Sequence, residues 1–157
     1  MGAVDTITSR LRGENVPFEV HHHPLAYTAQ HVAQSEHVPG RMVAKVVVVF
    51  ADGRLALVVV PAPAHVSLEK AASAIKAREV RLASEEEMAA AFPEWEVGAT
   101  PPIGSAGLVV CVDKELVNQE RIIFQAGTHT DTVAMACEDY LKVVHPVVAD
   151  VAVRPAQ

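Results

Sequence analysis

The sequence predicts an α+β fold in which a mixed, mainly antiparallel sheet or a partial barrel is flanked by short helices. The main indication is a β-hairpin: two runs rich in β-branched residues, 43–50 and 55–60, are joined by a turn that contains Asp-Gly, and Asp-Gly favours a tight primed turn. Helix-start signals at Ser67 and Ser84 then interrupt the strands. Strands do not alternate with long crossover helices, so the pattern favours an α+β architecture over a parallel sheet.

The N-terminal segment predicts one helix and one strand. Asp5 is placed to cap a short helix that carries Ile7 and Leu11 on one face and ends near Gly13. Residues 17–20 begin a short strand that runs into a histidine triplet.

Capping residues predict three more helices, which begin at Thr28, Ser67 and Ser84. Ser84 precedes a glutamate by three residues, as in a capping box. The first of these helices stops before Pro39 and the third ends at Phe92, because each is followed by residues that break a helix.

The C-terminal part predicts further strands. Residues 108–112, 122–125 and 130–135 have the apolar pattern of strands, and residues 138–143 that of a short helix. Residues 147–153 form either an edge strand or a segment packed on the surface.

Length and composition predict a single domain over residues 1–157, which at this size buries about two thirds of the unfolded chain's surface. Half of the residues are apolar and 4% are aromatic, so Val, Ala and Leu form the core. No stretch approaches the roughly 20 apolar residues of a membrane helix, and the first residues lack the pattern of a signal peptide. We therefore expect a cytoplasmic protein without membrane contact.

The formal net charge of −6 disfavours a general nucleic-acid binder and a DNA-binding role, because contacts to phosphates provide most non-specific affinity. It leaves room for a small basic site that holds one nucleotide end.

The histidine triplet His21-His22-His23 suggests a metal site, since imidazole is a good zinc ligand. On a strand, however, neighbouring side chains point to opposite faces, and no nearby carboxylate or cysteine completes a ligand set. We expect no metal and no cofactor, and we place His23 with Pro24 at a cleft. Stoichiometric zinc in untagged protein would support the metal alternative.

Cysteine chemistry is a second alternative. Cys111 lies in an apolar strand and Cys137 beside two acidic residues, so nothing local lowers either thiol pKa. With His129 as a base, either residue would form a Cys-His pair, but two buried, reduced thiols are the simpler interpretation.

Lys45 leads into the most hydrophobic run of the chain. Burying an unpaired ammonium costs several kcal/mol, so this side chain must reach water, find a partner or face a cleft. The alternative to a functional role is that Lys45 lies at the end of the strand with its amine in water.

Two glycine turns follow. The first begins at Gly98 and ends in Pro101-Pro102, and the second holds Gly127 and His129. Glycine lets a ligand approach the backbone and prolines stiffen the chain, although rigid connections have the same composition.

Taken in order, these segments resemble the YbaK/prolyl-tRNA synthetase-associated family, the superfamily of aminoacyl-tRNA editing domains. The resemblance spans nearly the whole chain. It is carried by His23-Pro24 with Thr28, Lys45 before the hairpin, Gly98-x-x-x-Pro102 followed by Ile103-Gly104, Val112-Asp113 with Leu116, and Phe124-Gln125-Ala126-Gly127-Thr128-His129.

The resemblance implies a free-standing hydrolase that removes a wrong amino acid from the 3′ end of tRNA, without metal or cofactor. Backbone groups of the 98–102 loop and the neighbouring ribose hydroxyl would orient a bound water. Lys45 and Gly98 are then the catalytic candidates, with Lys45 holding phosphate or ribose oxygens. The substrate-binding candidates are His23, Thr28, Pro102, Gly127, Thr128 and His129.

Val, Ala and Met in the lining favour a small amino acid such as Ala, Cys or Ser on tRNA-Pro, and a small pocket separates near-isosteres poorly. A synthetase or an elongation factor is a possible partner. The alternative from another class is a non-catalytic module that binds tRNA or a synthetase with the same fold.

Overall fold

The computed structural model describes residues 2–104 and 108–154, and it has the predicted α+β architecture. The helices are α1 (Ala3–Gly13), α2 (Ala29–Ser35), α3 (Leu68–Ile75), α4 (Glu85–Ala91), α5 (Lys114–Val117) and α6 (Cys137–Val144), with a 3₁₀ helix at Gly40–Met42. The strands are β1 (Phe18–His22), β2 (Ala44–Ala51), β3 (Arg54–Pro61), β4 (His65–Val66), β5 (Val80–Leu82), β6 (Val109–Asp113), β7 (Arg121–Gln125), β8 (Asp131–Ala136), β9 (Val147–Ala149) and β10 (Ala152–Val153). No helix in the described ranges is long and apolar enough to cross a membrane.

The predicted hairpin is present and forms the centre of the largest sheet. Strands β2 and β3 pair antiparallel, with Lys45 opposite Val60. The turn residues Asp52 and Gly53 have φ values of 50° and 81°, which is the geometry of a type I′ turn. The Asp52 carboxylate also accepts hydrogen bonds from the backbone N–H groups of Arg78 and Glu79, so it ties the turn to the chain that leads into β5.

The described strands form three sheets. The five-stranded sheet has the order β5-β2-β3-β6-β9, the three-stranded sheet β1-β8-β7, and β10 pairs with β4. Most neighbours are antiparallel, but β3–β6 and β6–β9 are parallel, so the sheet is mixed as predicted. A single parallel bridge between Val43 and Ile123 joins the two larger sheets. The sheets do not close into a barrel.

Three predicted helix caps are confirmed. The hydroxyls of Thr28, Ser67 and Ser84 accept hydrogen bonds from backbone N–H groups in the first turns of α2, α3 and α4. The predicted cap at Asp5 is wrong, because Gly2 is the N-cap residue of α1. Asp5 lies three residues further on, where its carboxylate accepts the N–H of Gly2 at 3.2 Å.

The main core lies between the two larger sheets and the helices α1 and α6. Its fully buried members include Leu11, Leu57, Phe124 and Tyr140. The Tyr140 hydroxyl donates a 2.6 Å hydrogen bond to the carbonyl of Pro102. This bond fastens the end of the 98–102 loop to α6, and Arg10 of α1 donates to the carbonyl of Gly104 nearby.

We predict that Tyr140→Phe lowers the free energy of unfolding by about 1–2 kcal/mol, since it leaves the buried Pro102 carbonyl without a donor. Tyr27→Phe is the matched control because the Tyr27 side chain is largely exposed, and its effect should stay within about 0.5 kcal/mol. Urea unfolding of both variants measures the difference. Equal effects of the two substitutions would contradict the role of the Tyr140–Pro102 bond.

Candidate active site

The candidate site is built where the predicted glycine turns meet. The N–H of Glu96 donates to the carbonyl of Gly127 at 2.8 Å, and the N–H of Gly127 donates to the carbonyl of Ala99 at 2.9 Å. The N–H of Ala99 closes a tight turn onto the carbonyl of Glu96. Two loops that are about 30 residues apart in the sequence are thereby fixed to each other.

The imidazole of His129 makes the second connection between these loops. The ring is buried, and its Nε2 lies 2.8 Å from the carbonyl oxygen of Val97, which can only accept a hydrogen bond. Its Nδ1 lies 3.1 Å from the side-chain amide of Gln125, whose NH2 can donate to an unprotonated Nδ1 and whose oxygen can accept from a protonated one. The backbone N–H of His129 donates to Oε1 of Glu96 at 3.0 Å. Because both ring nitrogens are engaged, His129 is arranged to hold the loop.

Gly98 lies at the tip of this turn in a conformation that favours glycine. Its φ is 88°, and a Cβ atom there would lie 3.4 Å from Cε1 of His129. The trans peptide between Val97 and Gly98 is planar, so its C=O and N–H point in opposite directions. Since the carbonyl is directed at the His129 ring, the N–H of Gly98 is directed away from it. The described residues provide no hydrogen-bond partner for the N–H or C=O of the exposed Gly98.

The segment 23–28 lies against the same junction. The N–H of His23 donates to the carbonyl of Thr130, and the N–H of Ala26 donates to that of His129. The ring of Tyr27 lies 4.8 Å from the ring of His129 and is 62% exposed. The predicted residue Thr28 therefore lies near the site, but its hydroxyl caps α2.

A polar cluster next to Thr128 stiffens the second loop. The Thr128 hydroxyl donates to Oδ2 of Asp131 at 2.6 Å, and Nδ1 of His22 contacts Oδ1 of the same carboxylate. Partial burial raises the pKa of Asp131, but hydrogen bonds from Thr128, His22 and Thr130 outweigh it and hold that pKa below its usual value. Thr128 is thus engaged within its own turn.

Lys45 is half-buried on β2, between the apolar neighbours Ala44 and Val46. Burial lowers the pKa of its ammonium below the usual lysine value. Within residues 2–104 and 108–154, its amine forms neither an ion pair nor a hydrogen bond, including to Gly98 or His129. The structure therefore presents Lys45 as a partly desolvated cation that is available to an anionic or polar ligand.

The structure brings together most of the predicted site residues. His23, Gly127, Thr128 and His129 belong to one hydrogen-bonded junction. Gly98 lies in the turn that this junction holds, and Thr28 lies beside it. Lys45 and Pro102 lie outside that hydrogen-bond network. The carbonyl of Pro102 accepts a hydrogen bond from the buried Tyr140 hydroxyl. Pro102 therefore attaches the end of the loop to the core.

Both cysteines are buried and reduced. Burial raises the pKa of each thiol to about 11, with the charge of Asp113 adding to the effect at Cys111. Neither is a thiolate at neutral pH, which removes the Cys-His alternative.

The histidine triplet borders a cavity of about 400 Å³ that His37 and Arg121 also line. His21 lies near Glu19, and His22 contacts Asp131. Among the described residues, no group of three or more His, Cys, Asp or Glu side chains has the arrangement of a metal site. His23 is among the residues that line this cavity.

Three residues of the junction were not predicted as site residues from the sequence: Glu96, Gln125 and Tyr27. Gln125 carried a usable signal, since it is a polar residue at the end of an apolar strand and is 7% exposed. Glu96 and Tyr27 carried none, because their roles depend on contacts with His129 far along the chain.

We predict that Asp131→Asn destabilises the protein at neutral pH and has less effect in acid. A carboxyl whose folded pKa is depressed stabilises the folded state above its unfolded pKa, and this contribution is lost as the pH falls through the folded pKa. The difference in free energy of unfolding between wild type and variant should therefore shrink below about pH 4. A difference that stays constant from neutral to acidic pH would contradict this role for Asp131.

Solved structures share this fold. The hypothetical protein APE2540 superposes with a TM-score of 0.85 at 18% identity, covering 94% of this chain and 99% of that chain. A candidate trans-editing enzyme for prolyl-tRNA synthetase gives 0.82 at 21% identity, covering 96% and 95%. A candidate signal transduction protein from Marinobacter aquaeolei VT8 gives 0.73 at 16% identity, covering 98% of this chain and 31% of that one.

No curated protein matches the chain in sequence. The sequence model of the aminoacyl-tRNA editing domain matches residues 23–143. This range contains Lys45, the Gly98 turn and the His129 junction. The chain belongs to the aminoacyl-tRNA editing domain family.

Proposed function

We propose that this protein is a free-standing aminoacyl-tRNA deacylase, which hydrolyses the ester between a wrongly attached amino acid and the 3′-terminal ribose of tRNA. The observation that carries the proposal is the Gly98 turn. Hydrogen bonds of Glu96, Val97 and Ala99 hold the turn, while the N–H and C=O of Gly98 have no partner in residues 2–104 and 108–154.

Ester hydrolysis needs a water held against the carbonyl carbon and donors for the oxygen that becomes negative. A pre-positioned backbone N–H is such a donor, and one donor of this kind contributes about 10²–10³ in rate in well-studied esterolytic sites. The water adds to the carbonyl and the ribose oxygen leaves with a proton, so the products are the free amino acid and the tRNA. In this proposal the N–H of Gly98 binds the ester oxygen, and the neighbouring ribose hydroxyl helps to orient the water.

Neither His129 nor the two cysteines is suited to act as a nucleophile. Both ring nitrogens of His129 are engaged with Val97 and Gln125, and both thiols are protonated at neutral pH. This supports a reaction that depends on positioning, and orientation alone can supply several kcal/mol of barrier reduction.

Lys45 is proposed to hold the terminal phosphate or the ribose oxygens. Its half-buried amine is the group that gains most from an anionic partner, because a charge-assisted hydrogen bond would offset its desolvation. His23, Thr28, Pro102, Gly127 and Thr128 would then shape the pocket or hold its loops.

We propose a small substrate side chain such as that of Ala, Cys or Ser, carried by tRNA-Pro. The element beside the junction is built from small apolar residues, and Ala26, Ala29 and Val32 are buried there. The tRNA assignment is supported by the structural likeness to the candidate trans-editing enzyme for prolyl-tRNA synthetase. Editing of tRNA belongs in the compartment of translation, so we expect the protein in the cytoplasm, with a synthetase or elongation factor as its possible partner.

A non-catalytic module that binds tRNA or a synthetase is the second candidate. It predicts that the protein binds aminoacyl-tRNA and leaves the ester intact. The open peptide groups of Gly98 favour hydrolysis, since binding alone does not need donors at the ester.

The decisive test supplies tRNA-Pro charged separately with Ala, Cys, Ser or Pro and follows loss of the ester. We expect the wild type to hydrolyse one small non-cognate ester and to spare Pro-tRNA-Pro. Lys45→Ala should lower kcat/KM by about 10- to 100-fold, the equivalent of one charge-assisted hydrogen bond.

Lys142→Ala is the matched control for this experiment, because Lys142 lies on the exposed face of α6. Full activity of Lys45→Ala on every ester would overturn the proposed role of Lys45. Binding without hydrolysis on this panel and on tRNA-Ala and tRNA-Thr esters would favour the non-catalytic module.

We further predict that Gly98→Ala and Gly53→Ala lose similar stability but differ in activity. Both glycines have positive φ values, and an L-residue in that region costs about 1–2 kcal/mol. Only Gly98 lies at the proposed site, where the added methyl group would contact His129. Deacylation should fall at least about tenfold for Gly98→Ala alone. Equal activity of both variants would remove Gly98 from the mechanism.

A further inference from the structure

We infer that Gln125 is a positioning residue, which acts through the ring of His129 to direct the N–H of Gly98. This inference rests on the proposed function, because it concerns how the Gly98 turn is held for the reaction.

Gln125 is a polar residue in an apolar position. It is the last residue of β7 and is 7% exposed, between the fully buried Phe124 and Ala126. Within the described part of the chain, its side chain has one hydrogen bond, to Nδ1 of His129. A buried amide without this bond would cost free energy that an apolar residue avoids. The single use of the amide is therefore to hold the imidazole.

The imidazole is held at two points that lie on opposite sides of the ring. Gln125 contacts Nδ1 and the Val97 carbonyl contacts Nε2. Glu96 binds only the backbone N–H of His129, so it does not fix the rotation of the ring. Tyr27 packs against the ring but forms no hydrogen bond with it. Removing the Gln125 amide therefore removes one of the two hydrogen bonds that set the ring's rotation, and the ring can tilt and shift the Val97 carbonyl.

Val97 transmits a movement of the His129 ring to the proposed substrate site. Its carbonyl and the N–H of Gly98 belong to one planar peptide, so the direction of the carbonyl sets that of the N–H. A tilt of the His129 ring therefore becomes a tilt of the Gly98 donor. Displacements of about 1 Å in such groups can cost about 100-fold in rate.

The test compares Gln125→Met with Thr132→Val. Methionine has a similar length but lacks the amide. Thr132 is opposite Gln125 in the β7–β8 register, is fully buried, and donates to Glu36 away from the turn. Thr132→Val thus removes a neighbouring buried hydrogen bond without touching His129, and it controls for loss of stability.

We expect Gln125→Met to shift the NMR amide resonance of Gly98 and the ¹⁵N resonances of the His129 ring. On the ester that wild type hydrolyses, kcat should fall about tenfold or more, with KM within about twofold, since the substrate still binds. Thr132→Val should leave the Gly98 resonance and kcat unchanged. If Gln125→Met does not fold, Gln125→Asn, whose amide is one methylene shorter, should give the same displacement.

The inference is overturned if the Gly98 resonance does not move in the Gln125 variant, or if Thr132→Val moves it equally. Failure of the proposed function has a different signature, because the wild type would then hydrolyse no aminoacyl-tRNA ester. The NMR comparison still decides the positioning role in that case.

Discussion

The hydrogen bond between the His129 ring and the Val97 carbonyl is the contact on which the candidate site depends. It joins two loops that belong to different parts of the sequence, and it sets the plane of the peptide that carries the Gly98 N–H. Two backbone hydrogen bonds, which join Glu96 and Ala99 to Gly127, hold the same two loops together in addition to this contact. Below it, Tyr140 and Arg10 secure residues 102 and 104 to the helices. A hydrogen-bonded scaffold therefore presents the Gly98 turn, and no described residue forms a hydrogen bond with the N–H or C=O of Gly98.

This arrangement fits the proposed hydrolysis, in which neither His129 nor a cysteine acts as a nucleophile. The histidine is occupied, and the two thiols are buried and protonated. Lys45 is the charged residue of this region. It is a half-buried cation on a strand whose other residues are apolar. In a protein of net charge −6, such a local cation attracts an anionic end while the remaining surface discourages extended nucleic-acid contacts. We consider this combination suited to the terminal nucleotide of tRNA.

Local signals predicted much of the fold. The Asp52-Gly53 turn and the caps at Thr28, Ser67 and Ser84 depend on neighbouring residues, so they could be recognised in the sequence. The parallel pairing of β3 with β6 could not, because it joins segments separated by two helices and carries no local pattern. The candidate site shows the same contrast. Gly98 and His129 were predicted from local glycine turns and lie together in the structure, whereas Glu96 and Gln125 reach the junction only through tertiary contacts with His129.

We propose above all that the substrate ester meets the N–H of Gly98. Titration of ¹⁵N-labelled protein with a non-hydrolysable amide analogue of 3′-alanyl-adenosine tests it most directly, because the ligand carries the terminal nucleoside and the amino acid together. We expect the largest amide shift at Gly98, accompanied by a shift of the Lys45 side chain and by little change around His21 and His37. Shifts centred on the histidine-lined cavity, with Gly98 unmoved, would contradict it.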